Sequence, residues 1–334
     1  MFEKRANDVL NANPDTFLYP QTSQINITTH GSDWYWAVTA VMAASTFAFI
    51  GMSFTVPRQA RIFHYITASI TLVASISYFT MASNLGYAAI PVEFIRSNPK
   101  VAGMGGLNFR GIFYVRYIDW FVTTPLLLVD LLLTAGLPWP TILYTILMDE
   151  VMVVTGLVGA LVASSYKWGY FVFAMFALFF IAYNVCYVAL NHAKHIGSNV
   201  HRTFLMCGVW TIFLWFLYPI AWGLSEGGNV ISPDSEAVFY GVLDIMAKPV
   251  FGAMLLFGHR NIDPAVLGLR ISDYYDGPVG NEKTHGVGSA TAHPHNNGGV
   301  VNGHNSANPA VAVDNTTTGN IAPTTAGTHG QSAV

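Results

Sequence analysis

Charge is what this sequence has least of. Only 10% of its residues are Asp, Glu, Lys or Arg, whereas about a quarter of an ordinary soluble domain is charged. Hydrophobic residues make up 52%, and they are gathered into long apolar stretches that need a bilayer rather than a protein core. The net charge of -3 is too small to indicate a nucleic-acid partner. We therefore expect an integral membrane protein whose main partner is the lipid bilayer, with no nucleic acid.

Cysteine is equally scarce. Cys186 and Cys207 both fall in apolar stretches, where they are expected to be small buried side chains rather than a disulfide framework. The beginning of the chain lacks the charged start and short apolar run of a removable signal peptide, so the first span is expected to direct insertion. No metal site is expected either, because the histidines near the C-terminus do not have the spacing of zinc ligands: His285, His293, His295, His304 and His329.

Seven stretches satisfy the rule of roughly 20 mostly apolar residues for a transmembrane helix. The sequence therefore predicts an all-α fold, a bundle of seven transmembrane helices. The predicted spans are 34–56, 62–84, 111–134, 139–162, 168–191, 203–224 and 236–258.

The predicted organisation has three parts. A polar N-terminal segment covers 1–33, and the seven-helix domain covers 34–260. The remainder, 261–334, is a tail rich in Gly, Asn, Thr and His, which we expect to be largely disordered because it has little to bury. Residues 87–110 form a long polar connection that is expected to hold a small hairpin.

Basic residues do not decide the orientation in the membrane. Seven spans place the two termini on opposite sides, and positive charge usually accumulates on the cytoplasmic side. With the N-terminus outside, six basic residues would lie in or near the inner connections and six in or near the outer ones. The outer group would be Lys4, Arg5, Arg96, Lys100, Arg110 and Lys167.

Several ionisable residues lie inside the predicted spans, where each costs roughly 2.5–3.5 kcal/mol on insertion scales. Such residues must face the interior of the bundle and one another. They either lock helices together as structural pairs or form a functional site, and intramembrane ionisable residues are functional by default. They are Arg116, Asp119, Asp130, Asp149, Glu150, Asp244 and Lys248.

Asp244 and Lys248 are four residues apart, so they share one helical face and can form an ion pair. A lysine amine in an apolar pocket can also form a Schiff base with an aldehyde cofactor. The pair alone leaves a structural bridge and a cofactor anchor both open.

The third span carries a stripe of polar groups. Arg116 and Asp119 are three residues apart, and Thr123 follows one turn later on the same face. Asp130 lies eleven residues beyond Asp119, which is about 16 Å along an α-helix. A cation, a hydroxyl and two carboxyl groups that step across the membrane are typical of a proton relay.

Aromatic residues are concentrated in the third and sixth spans. Trp215, Tyr218 and Trp222 recur at spacings of three and four residues, and Trp120 lies beside Asp119. This pattern fits ordinary core packing, and it equally fits a slot for a flat polyene. Pro219 is a position at which the sixth helix can kink.

Three stretches together resemble the signatures of the microbial (type I) rhodopsins. Residues 116–130 (RYIDWFVTTPLLLVD) are similar to the third helix of that family. Residues 215–222 (WFLYPIAW) and 243–248 (LDIMAK) are similar to its sixth and seventh helices. The resemblance covers about 34–260. Ser77, Tyr78 and Phe79, the long loop around Gly105 and the sequence after Trp222 resemble the fungal branch.

This resemblance implies a role for each polar group of the bundle. Lys248 would carry all-trans retinal as a Schiff base. Asp119 would be the counterion and primary proton acceptor, and Asp244 the second counterion. Arg116 would lie on the outer side, and Asp130 would be the internal proton donor.

The family pattern also implies the surroundings of the cofactor and the proton exit. Glu226 and Glu236 fall near the two glutamates of the release group. Thr124 and Asp149 match a hydroxyl–carboxyl pair that links the third and fourth helices, whereas the family pattern assigns no role to Glu150. The expected retinal-binding residues, besides Lys248, are Trp120, Thr123, Thr124, Asp149, Trp215, Tyr218 and Trp222.

The function that the resemblance implies is a light-driven outward proton pump, not an enzyme. Isomerisation of retinal from all-trans to 13-cis would drive the cycle, with protons as the transported partner. The N-terminus would be outside, the tail cytoplasmic and the location the plasma membrane, with a homo-oligomer left open.

A light sensor is the alternative, and the carboxyl group of Asp130 argues for the pump. A chloride pump needs a neutral residue at position 119, and a light-gated channel usually has acidic residues on the second helix. A receptor without retinal is a fourth class.

Overall fold

The computed structural model describes residues 23–102 and 108–269. Within these residues seven helices are long and apolar enough to cross a membrane, which confirms the predicted seven-helix, all-α architecture. The tail beyond residue 269, its histidines and residues 1–22 lie outside the described part of the chain. The helices are α1 (Thr29–Ser53), α2 (Ile62–Ala82), α3 (Tyr114–Thr134), α4 (Trp139–Leu161), α5 (Lys167–Ile196), α6 (Ser198–Gly227) and α7 (Pro233–Asn261).

Two helices begin well before their predicted starts. α1 begins at Thr29 rather than at 34, because the Thr28 side chain accepts a hydrogen bond from the backbone N–H of His30 at 3.2 Å. The end of the polar segment 1–33 is therefore helical. α6 begins at Ser198 rather than at 203, because only Gly197, in an extended conformation, separates it from α5.

The helices form a closed ring in which each packs on its neighbour in the chain and α7 packs on α1. The Thr28 hydroxyl donates to Asp234 Oδ2 at 2.6 Å, which ties the start of α1 to the start of α7. α3 is the most buried of the seven helices. Large apolar side chains such as Phe47, Phe176 and Phe213 are exposed on the outer surface, as a bilayer requires.

The predicted hairpin between the second and third spans is confirmed. Strands β1 (Ala88–Pro91) and β2 (Phe109–Ile112) pair antiparallel, with Ala88 opposite Ile112. Ile25, upstream of α1, forms a parallel bridge with Arg110 of β2. The side-chain amide of Asn229, between α6 and α7, donates to the carbonyl oxygen of Val101. The hairpin therefore contacts this end of the bundle.

Three helices contain a π-helical segment, with a wider turn than an α-helix. These segments are Asn184–Ala189 in α5, Gly223–Gly227 in α6 and Met246–Val250 in α7. Pro249, which has no backbone N–H, lies in the last of them. Such segments are often found at functional sites.

The two cysteines differ in burial. Cys207 is buried, as predicted, but Cys186 is exposed on α5. The prediction for Cys186 was wrong because an apolar stretch does not show which side of the helix faces the core. Asn184 and Val185 turn inward, and Cys186 turns outward to the surface that faces lipid.

Candidate functional site

Lys248 lies in the π-helical segment of α7 and is fully buried. Its Nζ donates to Asp119 Oδ2 of α3 at 2.6 Å and lies 3.2 Å from Asp244 Oδ2, one turn earlier on α7. The four-residue spacing therefore produces the ion pair that it predicts. The carboxylate of Asp119, on α3, lies closer to the Lys248 nitrogen than the carboxylate of Asp244 does.

Asp244 is held by three further donors. The hydroxyls of Tyr78 and Tyr218 donate to its two carboxylate oxygens at 2.7 and 2.6 Å. Trp120 Nε1 makes a longer contact of 3.4 Å with Oδ1. Asp119, in contrast, has one oxygen on Lys248, and its Oδ1 has no hydrogen-bond partner among the described residues. Asp244 is thus fixed in place, whereas Asp119 keeps an oxygen free to take a proton.

An apolar cavity begins at Lys248 and extends between α3, α4, α5 and α6. Phe171 of α5 stacks on Trp222 of α6, with ring centroids 5.2 Å apart. The sequence of the fifth span did not identify Phe171 as a residue of the pocket. Among the predicted pocket residues, five line the cavity: Trp120, Thr124, Trp215, Tyr218 and Trp222. The other lining residues include Tyr117, Leu127, Met152, Gly156, Leu178 and Tyr240.

Two predicted pocket residues do not line the cavity. The Thr123 hydroxyl donates to the backbone oxygen of Asp119 at 2.8 Å, so it contacts its own helix. Asp149 accepts from the Thr124 hydroxyl at 2.7 Å, which links α4 to α3 just outside the cavity wall. The neighbouring Glu150 is half-buried, one helical step away from this link.

A buried cluster of charges lies at the N-terminal end of α3. Arg116 Nη1 donates to Glu236 Oε1 at 2.7 Å and to Glu226 Oε1 at 3.2 Å. Its Nη2 donates to the Tyr35 hydroxyl at 2.9 Å, and its guanidinium lies 4.1 Å from the centroid of the Tyr240 ring. The structure thus brings together the three residues predicted for the proton exit.

Arg110 of β2 is a member of this cluster that the sequence did not single out. Its Nη2 donates to Glu236 Oε2 at 2.7 Å, and its side chain is almost fully buried. In the sequence it is one of several basic residues of an outer connection. No helical spacing relates it to the bundle, so only the fold of the hairpin reveals its position.

Asp130 lies deep in the other half of the bundle. Its Oδ2 accepts from the Thr67 hydroxyl of α2 at 3.1 Å, and its Oδ1 has no partner among the described residues. Its buried neighbours on α3 are mostly leucines, including Leu127 and Leu131, and the Thr134 hydroxyl donates to the backbone oxygen of Asp130 at 2.7 Å. No cation forms an ion pair with it in the described part of the chain. An isolated carboxyl group in such surroundings favours the protonated form.

Comparison with known proteins assigns the family. The family of bacteriorhodopsin-like proteins matches residues 29–262. The opsin-like protein carO of Fusarium fujikuroi is 64% identical over 296 residues, 86% of this chain and 94% of the relative. The chain therefore belongs to the bacteriorhodopsin-like family, as a microbial rhodopsin of the fungal branch. Members of this family are light-driven transporters or sensors rather than enzymes.

Solved structures agree with this assignment. The light-driven proton pump LR (Mac) from Leptosphaeria maculans is 36% identical with a TM-score of 0.67, over 72% of this chain and 99% of that protein. Halorhodopsin, a light-driven chloride pump, is 26% identical with a TM-score of 0.64, over 71% of this chain and 98% of that protein. Family membership alone therefore does not select the ion.

Microbial rhodopsins generally hold retinal through a lysine, and the residues present here fit that group. Lys248 Nζ lies at the end of the cavity, whose walls are almost entirely apolar and aromatic. Such a lining suits a polyene. Asp119 and Asp244 supply the negative charge that a cationic lysine nitrogen needs in an apolar surrounding.

Proposed function

We propose that this protein is a light-driven outward proton pump that holds all-trans retinal on Lys248. The observation that carries the proposal is the placement of carboxyl groups on α3. Asp119 contacts the Lys248 nitrogen, and Asp130 is buried about 16 Å further along the same helix. One carboxyl group can take a proton from the lysine nitrogen and the other can return one.

Retinal, when bound, supplies the absorption of light and a light-driven change of shape; the protein supplies the path of the proton. Asp119 Oδ2 accepts the proton from the Lys248 nitrogen, because it lies within hydrogen-bond distance at 2.6 Å. Asp244 is the poorer proton acceptor, since two tyrosine hydroxyls and Trp120 already donate to its oxygens. The proton therefore moves towards α3 and not towards α7.

The release step uses the cluster at the start of α3. Once Asp119 is neutral, Arg116 loses part of its attraction to the centre of the bundle and interacts more strongly with Glu226 and Glu236. A proton stored in this cluster then leaves on that side. Asp130, in the other half of the bundle, returns a proton to the Lys248 nitrogen. Asp130 is then reprotonated from the aqueous phase on its own side of the membrane.

The direction of transport follows from the orientation of the chain. We place the N-terminus and the β1–β2 hairpin outside, and the end of α7 and the tail in the cytoplasm. The exit cluster then faces the exterior and Asp130 faces the cytoplasm. In this arrangement residues 34–260 form the pumping domain between the segment 1–33 and the tail 261–334. The proposed location is the plasma membrane.

A chloride pump is disfavoured by the contact between Lys248 and Asp119. The carboxylate of Asp119 already supplies the negative charge at 2.6 Å from the lysine nitrogen. A bound anion at that place would meet a like charge.

Two linked measurements test the proposal. Addition of all-trans retinal should produce a visible absorption band that hydroxylamine bleaches and that Lys248→Ala abolishes. Illuminated cells in weak buffer should then acidify the medium, and an uncoupler should remove the signal. No band would contradict retinal binding. A band with a slow photocycle and no acidification would identify a light sensor instead.

A further inference from the structure

Two buried glutamates lie in the cluster at the start of α3, but their partners differ in kind. Each carboxylate oxygen of Glu236 accepts from an arginine at 2.7 Å, Oε1 from Arg116 and Oε2 from Arg110. Arginine can only donate hydrogen bonds. A proton on either oxygen of Glu236 would therefore face a guanidinium N–H, with no acceptor opposite.

Glu226 is surrounded mainly by hydroxyl groups. Its Oε1 lies 3.3 Å from the Tyr117 hydroxyl, and its Oε2 contacts the hydroxyls of Ser225 and Tyr240. A hydroxyl can donate to a carboxylate or accept from a carboxylic acid. The nearest arginine nitrogen, Arg116 Nη1, is 3.2 Å away and lies closer to Glu236. Glu226 can therefore hold a proton without leaving a donor opposite a donor.

The buried ion pairs contain one more carboxyl group than cations. Arg110, Arg116 and Lys248 form these pairs with four carboxyl groups: Asp119, Asp244, Glu226 and Glu236. Because uncompensated buried charge is strongly unfavourable, one carboxyl group is expected to be neutral. The count does not select that group, since Asp119 and Asp244 share Lys248 while the two glutamates face two arginines. Between the two glutamates, the hydrogen-bond partners favour a proton on Glu226.

We propose that Arg110 determines which glutamate stores the proton: it holds Glu236 ionised, so that Glu226 carries the proton that is released. Arg110 is a positioning residue, because it acts through Glu236. It is itself locked in place, since Nη1 donates to Asn229 Oδ1 at 2.8 Å and to the backbone oxygen of Ile231 at 2.9 Å. The β1–β2 hairpin thus places the guanidinium of Arg110 at the start of α7.

Release of this proton rests on the proposed pump function, but its location in the resting protein does not. The location can be measured in the dark by infrared spectroscopy of the full chain in which the glutamate carboxyl carbons are isotopically labelled. Glu226→Gln should remove a carboxylic-acid band. Glu236→Gln should remove only carboxylate bands. The reverse assignment would overturn the proposal, even if no variant at Arg110 folds.

Arg110→Gln should then create a second carboxylic-acid band, because Glu236 loses one of its two cations. That band should disappear in the double variant Arg110→Gln, Glu236→Gln, and Arg110→Lys should restore the single band. Arg96→Gln is the matched control, since Arg96 is an exposed arginine of the same connection that donates to the backbone oxygen of Gly228. A spectrum of Arg110→Gln identical to that of Arg96→Gln would contradict the proposal.

Failure of the pump and failure of this inference give different results. If the infrared bands follow the expected pattern but illuminated cells do not acidify the medium, the pump proposal is wrong and the role of Arg110 stands. If cells acidify the medium but Glu236 carries the resting proton, the role of Arg110 is wrong and the pump stands.

Discussion

At the scale of single residues, some buried carboxyl groups contact a cation, whereas Asp130 forms no ion pair among the described residues. Asp119 and Glu236 each contact a cationic side chain, at 2.6 and 2.7 Å respectively. Asp130 accepts a hydrogen bond from Thr67 and forms no ion pair in the described residues. Since the three are buried alike, the difference in partners decides which side chain favours charge and which favours a proton.

The proposed role of Asp130 as proton donor gives a kinetic prediction. The amide of Asp130→Asn cannot donate a proton as a carboxylic acid does, so recovery of the resting absorption band after a flash should be slower, by about a hundredfold or more. Added azide, a small proton carrier, should restore part of the rate.

Flash spectroscopy of the purified protein measures both effects. Glu150→Gln serves as the control, because Glu150 is half-buried on α4 and its buried Oε2 has no hydrogen-bond partner among the described residues. A normal recovery rate in Asp130→Asn would exclude Asp130 as the donor.

The sequence predicts the members of the central pair well, because regular helical spacing relates them. Asp244 and Lys248 share a face of α7, and Asp119 belongs to the polar stripe of α3. Arg110 was missed, because its place depends on strand pairing and on a loop between α6 and α7. Tyr35 was missed because a tyrosine in an apolar span does not show whether its hydroxyl meets Arg116 or lipid.

At the scale of elements, close packing between α7 and α2 supports the half of the bundle that contains Asp130. Gly252 of α7 lies against Thr67 of α2 and Phe49 of α1, so that an added methyl group would clash with both side chains. Thr67 is the residue that hydrogen-bonds to Asp130. A change at Gly252 therefore acts on helix packing and on the surroundings of Asp130 together.

Gly252→Ala should destabilise the protein by about 1–3 kcal/mol, the usual effect of overpacking a close helix contact. Thermal loss of the visible absorption band in detergent measures this change. Gly51→Ala on α1 is the matched control, because no atom of another helix lies within 4 Å of the added methyl group among the described residues. Equal melting temperatures for the two variants would show that this contact adjusts without cost.

Helix existence was predictable and helix ends were not. Apolar length identifies all seven spans, since each needs enough residues to cross the hydrocarbon layer. The ends depend on local events that hydropathy does not register, such as the cap at Thr28 and the short interruption at Gly197. The π-helical segments could not be predicted either, because a π turn and an α turn can have the same apolar composition.

At the scale of the whole molecule, the orientation of the chain decides from which side the proposed pump takes up its proton and on which side it releases it. The balanced distribution of basic residues leaves this assignment to experiment. Ser97, in the connection that contains the hairpin, and Asn261, at the end of α7, are both exposed and lie at opposite ends of the bundle. They are suitable positions for a reporter cysteine.

Ser97→Cys should react in intact cells with a thiol reagent that does not cross membranes. Asn261→Cys should react only after the cells are permeabilised. The unaltered chain is the control, because Cys207 is buried and Cys186 faces the lipid surface. Labelling of Asn261→Cys in intact cells would show that the chain has the opposite orientation, and the proposed direction of transport would then be wrong.

The π-helical segment Met246–Val250 has a consequence for how α7 tolerates length changes. A π turn is equivalent to an α-helix with one residue inserted, and the wider turn takes up that residue, so the two halves of α7 keep the directions of a regular helix that is one residue shorter. Deleting one residue elsewhere in α7 would rotate every position beyond the deletion by about 100° around the helix axis. A deletion inside Met246–Val250 would instead convert the wider turn into a regular α-helical turn and leave the lipid-facing residues in place. We therefore expect α7 to tolerate a one-residue deletion better in this segment than in the regular turns on either side.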